Sequence, residues 1–394
     1  MLSQQRSSKP KAPLLHQKDQ KHSHILLIPK WHPKSNLSPS AASPITMTQN
    51  SDATPFTRFD VVSDHSDHYY SASGKKQKYG GSVHKLIMKE WRILENNLPD
   101  SIYVRVYETR IDLLRAVIVG AAGTPYHDAL FFFDINFPSD YPTRPPNVHY
   151  RSYGLRVNPN LYASGFVCLS LLNTWTGKKR EKWNPAQSTV LQVLVSIQAL
   201  VLNEKPYFNE PGTGSPGGSA GEKRSRAYNE DAFVLTCKTT LFSLRNPPKN
   251  FEAFTAEHYR ERGSRIARAC GAYVSGRVGV GYYRDGVEFE PCSSSKSKVV
   301  SKKFVGLMQE LYPQLVQAFK KNGTLLGDLV EQLEVKKKTT PVKVRVDKKA
   351  KVGIANKVIG ILRELFCSNK KKKKSQKMEE SDKKDVNAGV AVGC

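Results

Sequence analysis

Apolar residues recur at helical spacing in SVHKLIMKEWRILENNLP (82–99), the first strongly patterned segment of the chain. Steps of three and four residues predict an amphipathic helix, with which the folded region begins near Gly81. Ser82 is the predicted N-cap residue, and Pro99 is the predicted stop. The residues at helical spacing are Val83, Leu86, Ile87, Glu90, Trp91 and Leu94.

The period then changes to two, which is typical of strands. Alternating apolar residues predict a strand over SIYVRVYE (101–108). The apolar runs LLRAVIVGA (113–121) and ALFFFDINF (129–137) predict two more strands, and NVHY (147–150) predicts a fourth. The connections RID and GTPYHD suit hairpin turns, so the segment is predicted to be an antiparallel meander.

Helical spacing returns after residue 187. The segments 188–202, 227–248, 251–273 and 301–323 each predict a helix. The Gly- and Ser-rich stretch TGSPGGSAGEKRS (213–225) predicts a flexible linker or loop. One helix, about four strands in a meander, an irregular segment and then helices indicate an α+β fold with the helices segregated from the sheet.

These patterns divide the chain into four regions. Residues 80–245 are the predicted globular core, and residues 246–335 are a predicted helical C-terminal extension. Residues 1–79 are rich in Ser, Pro, Lys, His and Gln without a sustained period, so we expect a disordered N-terminal region. Residues 336–394 carry 18 Lys and Arg against 6 Asp and Glu, which predicts a Lys-rich, largely disordered tail.

Positive charge is concentrated outside the predicted core. The formal net charge is +26, yet residues 80–210 carry only 14 Lys and Arg against 11 Asp and Glu. A basic active-site groove is therefore not indicated, whereas the basic flanks could meet nucleic acid, acidic proteins, anionic membrane or import receptors. The run KKKKK (370–374) is typical of a solvated tail, and its best functional interpretation is a nuclear-import signal.

Cysteine usage and hydropathy indicate the compartment. None of the six cysteines forms a CxxC pair or has a His at zinc-finger spacing, so neither a metal site nor a disulfide framework is expected. The N-terminus lacks the apolar segment of a signal peptide, and runs such as AVIVGAAG (116–123) are too short to span a bilayer. We expect a reduced cytoplasmic or nuclear protein, or both, with no membrane span.

Cys168 is the candidate nucleophile, although its surroundings, GFVCLSLL, are those of a buried, inert thiol. His149 and His127 lie in a predicted strand and a strand connection, so a cysteine–histidine protease arrangement is not evident. Asn160 precedes Cys168 by eight positions, and its amide can stabilise an oxyanion at a thioester carbon. A thiol is partly ionised near neutral pH, so thioester chemistry does not require a neighbouring base.

Several motifs in a fixed order resemble those of a known family. They are FPSDYPTRPP (137–146), NPN (158–160), a Cys eight residues later, and WNP before the long helix. In this order and at this spacing they resemble the ubiquitin-conjugating fold over about residues 80–245. The insertion TWTGKKREKWNP (174–185) resembles the large hybrid conjugating enzymes that also act as ligases, and in particular plant members with lengthened helical C-terminal extensions.

The resemblance implies that Cys168 accepts ubiquitin from the activating enzyme as a thioester and passes it to a substrate lysine. It implies that Asn160 stabilises the oxyanion or holds the loop over the site. Glu210, with Asn209 beside it, matches an acidic gate residue that orients the lysine or helps to deprotonate it. No cofactor is implied, because ATP is used by the upstream activating enzyme.

The partners that the resemblance implies are ubiquitin, the ubiquitin-activating enzyme, substrate proteins and, in some members, a separate ubiquitin ligase. Two groups of positions match the family's partner-binding surfaces. They are Lys85, Lys89 and Arg92 on the first helix for the activating enzyme, and Pro142, Thr143, Pro185 and Ala186 in two loops for RING-type ligases.

Three positions depart from the family pattern. Asn158 stands where His is usual; that His is a structural hydrogen-bonding residue, and large hybrid members tolerate Asn, so activity is expected to survive. Ser170 stands where many members carry Asp. Thr143 stands where RING-binding members often carry an aromatic residue, which favours direct substrate engagement over ordinary RING partners.

Two other functions remain open. A catalytically inactive conjugating-like scaffold would keep the fold without the activity, although such variants typically lack the cysteine. A nucleic-acid-binding protein would use the basic flanks, and its binding would depend on salt and disappear when residues 336–394 are removed.

Overall fold

The computed structural model describes residues 56–72, 80–287 and 300–327. The tail predicted over 336–394 and most of the N-terminal region predicted over 1–79 lie outside these residues. The strands are β1 (Phe59–Val62), β2 (Ile102–Tyr107), β3 (Arg110–Val119), β4 (Leu130–Asn136) and β5 (Asn147–Tyr150). The helices are α1 (Gly81–Asn97), α2 (Val190–Ser196), α3 (Ser219–Arg245), α4 (Glu252–Val274) and α5 (Lys302–Lys321).

A five-stranded sheet in the order β1-β2-β3-β4-β5 forms the centre of the fold. Strands β2 to β5 pair antiparallel with their sequence neighbours, so the predicted meander of four strands and the α+β class are confirmed. Strand β1 pairs parallel with β2, with Phe59 opposite Val104. The sheet therefore has one more strand than the sequence predicts, and it is mixed rather than purely antiparallel.

The prediction of disorder over residues 1–79 is wrong for residues 56–72, which contain β1 and lie against the sheet. Only two of the four residues of β1 are even half buried, so the strand has little hydrophobic pattern of its own. Its order comes from the ladder with β2 and from polar contacts to distant residues, such as the 2.8 Å hydrogen bond from Tyr69 N to Asp134 Oδ2. Contacts of this kind leave no period in the sequence.

Three local predictions also need correction. Helix α1 begins at Gly81 with Gly80 at the N-cap, so Ser82 lies inside the helix and does not cap it. The RID segment belongs to β3, and its Arg110 pairs with Tyr107 of β2, so the turn lies before Arg110. Helix α3 begins at Ser219, inside the predicted linker 213–225. Its first turns extend into the linker a helix whose buried residues begin at Ser225.

One face of the sheet packs on α1, α2 and the segment that carries Cys168. Residues Phe131, Phe133 and Ile135 of β4 point into this core, together with Ile87 and Leu94 of α1. Helix α2 continues directly into a π-helical turn, Ile197–Val201, and so matches the predicted helix 188–202. The face therefore fixes the position of the cysteine segment relative to the sheet.

The opposite face of the sheet is covered by α3, α4 and α5. Phe132 and Val117 of the sheet pack in one cluster with aromatic residues of α4 and α5 such as Tyr259 and Phe319. The backbone N of Leu130 donates a 3.1 Å hydrogen bond to the Tyr259 hydroxyl. The later helices thus pack on the core, which the sequence left open. Among the described helices, none is both long and apolar enough to cross a membrane.

A buried ion pair holds the N-terminal segment on this face. Arg115 of β3 is fully buried and donates to both carboxylate oxygens of Asp134, at 2.6 and 3.0 Å. Arg115 also pairs with Asp67 at 2.7 Å and donates to Lys249 O in the connection between α3 and α4. Burial raises the pKa of Asp134, but Arg115 outweighs this effect and holds that pKa below its ordinary value. The pair therefore stabilises the fold at pH values above the ordinary pKa of an aspartate. This stabilisation is lost as the pH falls through the lowered pKa of Asp134.

We expect Asp134→Ala to lower the free energy of unfolding by about 3–5 kcal/mol, because it leaves the Arg115 charge buried without its main partner. Asp140→Ala is the matched control, since it removes the exposed Asp140–Arg144 pair and should cost less than about 1 kcal/mol. Urea denaturation of the two variants measures both values. Equal, small losses would show that the Arg115 network does not hold the segment.

Candidate active site

Cys168 is held in register with Asn160 by two hydrogen bonds that run in opposite directions. Cys168 N donates to Asn160 O at 2.9 Å, and Asn160 Nδ2 donates to Cys168 O at 3.0 Å. An isolated bridge between Leu161 and Val167 closes the intervening loop. The spacing of eight residues is therefore the length of a closed loop that returns the chain to Asn160.

Asn158 connects this loop to the rest of the core. Its side chain is fully buried, and Nδ2 donates to Tyr126 Oη at 2.8 Å and to Val201 O at 2.7 Å. Its Oδ1 accepts from Asn160 N at 2.8 Å. Asn158 thus makes the structural hydrogen bonds expected at this position, although His is usual there in the family that the sequence resembles.

The end of the π-helical turn completes the hydrogen bonds around Asn158, which together are called the asparagine frame below. Carbonyls at the end of a helix have no partner within it. Val201 O accepts from Asn158 and also from Asn209 Nδ2 at 3.1 Å. Asn209 in turn accepts from Asn203 Nδ2 at 2.7 Å. A chain of asparagine amides therefore joins the loop before Glu210 to the turn before Cys168.

Three polar side chains surround the Cys168 thiol: Tyr162, Arg156 and Glu210. The Arg156 guanidinium lies 4.5 Å from the centre of the Tyr162 ring, and it meets Glu210 Oε2 at 3.4 Å. The structure thus brings the predicted residues Cys168, Asn160 and Glu210 into one site. Tyr162 and Arg156 were not predicted, because neither residue type is diagnostic in a loop and only tertiary contacts bring them to the thiol.

Burial dominates the electrostatics of the thiol. It raises the pKa of Cys168 above its ordinary value, and the hydrogen bond from Tyr162 and the charge of Arg156 lower it only in part. Glu210 raises it further. Within the described residues, no histidine is among the groups that shift this pKa. The closed loop thus positions the thiol, and its raised pKa keeps it mostly protonated at neutral pH.

A second surface gathers the positions predicted to bind partners. Lys85, Lys89 and Arg92 are exposed on α1, and Thr143, Pro185 and Ala186 are exposed in the two loops, with Pro142 half buried. Buried Glu90 joins these elements, since it accepts from Tyr141 Oη at 2.7 Å and from Val190 N at 3.0 Å. Trp183 Nε1 donates to Pro142 O at 2.7 Å and ties one loop to the other. The partner-binding roles themselves stay predictions.

The insertion 174–185 is attached to the cysteine segment at its start. Thr174 Oγ1 accepts from Leu169 N at 2.9 Å and donates to Val167 O at 2.8 Å. Gly177 packs directly on Ser170, because a Cβ at Gly177 would lie 2.5 Å from Ser170 Oγ. Ser170 therefore supports the insertion from its position two residues after Cys168.

The described part of the chain contains no candidate metal centre, because no three His, Cys, Asp or Glu residues are grouped there as ligands. The expectation that the protein needs no cofactor stays a prediction.

The sequence model of the family described as "Ubiquitin-conjugating enzyme" matches residues 86–233, which include most of α1, β2 to β5, Cys168 and α2. The matched range thus contains the closed loop and the asparagine frame described above. By its fold and site, the chain is of the ubiquitin-conjugating class.

Curated relatives extend this match. Putative ubiquitin-conjugating enzyme E2 38 of Arabidopsis thaliana is 51% identical over 265 residues, which are 66% of this chain and 81% of that protein. Probable ubiquitin-conjugating enzyme E2 26 of the same plant is 50% identical over 295 residues, so the match covers 72% of this chain but only about half, 54%, of that relative. The chain belongs to the ubiquitin-conjugating enzyme family.

A more distant relative is the human dual E2 ubiquitin-conjugating enzyme/E3 ubiquitin-protein ligase BIRC6. It is 37% identical over 239 residues, which are 56% of this chain and 5% of that much longer protein. The similarity therefore concerns one part of the relative, and it agrees with the resemblance to large hybrid members.

We expect the alkylation rate of Cys168 to rise about tenfold from about pH 7 to about pH 8, because burial holds its pKa above that interval. Arg156→Gln should shift the profile to higher pH, and Glu210→Gln should shift it to lower pH. Mass spectrometry of the Cys168 peptide after timed iodoacetamide treatment measures these rates. A rate that levels off below pH 7 would contradict this description of the thiol.

Proposed function

We propose that this chain carries ubiquitin as a thioester on Cys168 and transfers it to lysine side chains of substrates. The observation that carries the proposal is the paired hydrogen bonding between Asn160 and Cys168, which fixes a thiol beside an amide donor and an acidic side chain. The named conjugating enzymes that share half of their aligned residues with this chain support it. No ATP site is required, because the activating enzyme supplies the energy-rich thioester.

In the charging step, the Cys168 thiolate attacks the thioester carbonyl that links ubiquitin to the activating enzyme. A new sulfur–carbon bond forms, and the activating enzyme leaves as its own thiolate. A thiolate with a raised pKa is less abundant but more nucleophilic. Proximity in the complex can therefore replace a base at Cys168.

In the transfer step, the neutral amine of a lysine attacks the thioester carbonyl on Cys168. Negative charge develops on the carbonyl oxygen, and Cys168 then leaves as a thiolate. Asn160 Nδ2 has two hydrogens and donates one to Cys168 O, so the second is available to the oxyanion. Glu210 is half exposed beside Arg156, where it can orient the lysine ammonium and receive its proton.

The second surface described above contains the positions that we propose to bind partners. Lys85, Lys89 and Arg92 present three cations on α1 for the activating enzyme. The loops at 142–143 and 185–186 would contact a RING-type ligase, although Thr143 offers little apolar contact. The helices α3, α4 and α5 on the opposite face of the sheet, together with the insertion 174–185, instead support direct substrate recruitment. We propose that this activity takes place in the cytoplasm, the nucleus or both.

Incubation with activating enzyme, ATP and ubiquitin should give an adduct that a thiol reductant removes. Cys168→Ala should abolish the adduct, because it removes the attacking sulfur. Cys237→Ala, which changes a buried cysteine of α3, is the matched control and should charge like the wild type. An uncharged wild type, with activating enzyme that charges another conjugating enzyme, would favour the inactive scaffold and end the proposal.

Asn160→Ala should slow discharge of the charged chain to free lysine by about 10²–10³-fold, while charging changes only a few-fold. The reason is that the oxyanion donor is lost and the nucleophile is kept. Single-turnover assays measure the two steps separately, with Asn147→Ala as a control at an exposed asparagine. Equal losses in both steps would show that Asn160 holds the loop and does not stabilise the oxyanion.

A further inference from the structure

Two pairs of aromatic rings, joined by a backbone bridge between His149 and Phe166, lie between the N-terminal segment and Cys168. Tyr69 is 60% exposed and stacks on His149, with the ring centroids 3.4 Å apart. Phe166 is 49% exposed, forms an isolated bridge with His149, and lies with its ring centroid 6.0 Å from that of Tyr162. The Tyr162 side chain lies near enough to the Cys168 thiol to lower its pKa. These four residues, Tyr69, His149, Phe166 and Tyr162, are called the aromatic row below.

Contacts within the fold fix the backbone segments that carry the aromatic row. Asp134 accepts from Tyr69 N at 2.8 Å, which ties the backbone of Tyr69 to the buried Arg115 pair. His149 packs on Gly165, where a Cβ would lie 2.0 Å from the imidazole and where φ is +87°. Tyr162 N donates to Phe166 O at 3.0 Å. A partner that bound these rings would therefore meet backbone segments that are already ordered, which favours affinity.

The row ends on the side of Cys168 where Glu210 lies. Arg156 stacks on the Tyr162 ring and pairs with Glu210, so the two residues flank the thiol as neighbours. Under the proposed function, the acceptor lysine approaches Cys168 from Glu210. The row is therefore continuous with the path of the acceptor.

We propose that the aromatic row docks the substrate segment that carries the acceptor lysine, and that it selects segments with apolar or aromatic side chains near that lysine. This inference rests on the proposed function and names its substrate class. An extended segment advances about 3.3 Å per residue, so residues a few positions from the lysine reach Phe166 and then Tyr69. Exposed aromatic side chains on a rigid surface are typical anchors of such contacts. Phe166 and Tyr69 are the specificity-determining residues.

The test uses the full chain charged with ubiquitin and two acetylated ten-residue peptides with one central lysine each. One peptide has Leu and Phe on both sides of the lysine, and the other has Ser and Gly. We expect the wild type to modify the apolar peptide about tenfold faster at limiting peptide concentration. This ratio corresponds to about 1.4 kcal/mol, the value of burying roughly 55 Å² of apolar surface.

Phe166→Ser and Tyr69→Ala should each reduce this preference, and together they should abolish it, while discharge to free lysine stays within about twofold. Leu325→Ser is the control, since it changes an exposed leucine that follows α5. A wild type without preference, or a preference that survives the double change, overturns the inference. So does a failure of both peptides to react when free lysine is discharged.

Two further results would assign the row to another occupant and contradict the proposal. If Phe166→Ser slows discharge to free lysine as much as discharge to the peptide, the row contacts the ubiquitin on Cys168. If the variants modify the Ser and Gly peptide faster, a segment of this chain covers the row. Absence of any thioester is a separate result, because it defeats the proposed function before either peptide is added.

Discussion

The buried side chain of Asn158 is the contact on which the arrangement of the site depends. One amide joins the Tyr126 hydroxyl, the carbonyl at the end of the π-helical turn and the backbone N of Asn160. Each of these groups is buried, so each would lose a partner in a dry environment if the amide were absent. The loop that bears Cys168 is thereby fixed at the same time to the connection between β3 and β4 and to the turn that follows α2.

Position, more than activation, is what this frame gives to Cys168. Burial raises the pKa of the thiol, and Tyr162 and Arg156 act in the other direction without outweighing it. Under the proposed function, a site of this kind suits thioester exchange, because the incoming thiol and the leaving thiol are chemically alike. Buried Glu90 performs a similar task at the N-terminal end of α2, where it holds α1 and the two loops in one surface.

Much of this could be predicted from the sequence, because the hydrophobic periods of α1, of β2 to β5 and of the later helices are strong. Cys168 and Asn160 were found through their spacing within a series of motifs, and the closed loop explains why that spacing is eight. Strand β1 was missed, because its order depends on the β2 ladder and on contacts such as that of Tyr69 with Asp134. Arg156 and Tyr162 were missed for the same reason, since only tertiary contacts bring them to the thiol.

The C-terminal helices show a further limit of sequence patterns. Their periods predict that they are helices, but a period does not say which surface a helix covers. Both faces of β4 are apolar, with Phe131 and Phe133 towards α2, and Phe132 towards α4 and α5. The run of three phenylalanines is thus the sequence feature that agrees with a sheet buried on both sides.

The discharge rate of charged Asn158→Leu to free lysine tests most directly whether this frame positions the site. Leucine is close to asparagine in volume but cannot make the three hydrogen bonds. If Asn158 positions Cys168, the variant should fold, as circular dichroism can verify, and discharge should fall at least about tenfold. A folded variant that discharges at the wild-type rate would contradict the central role given to Asn158.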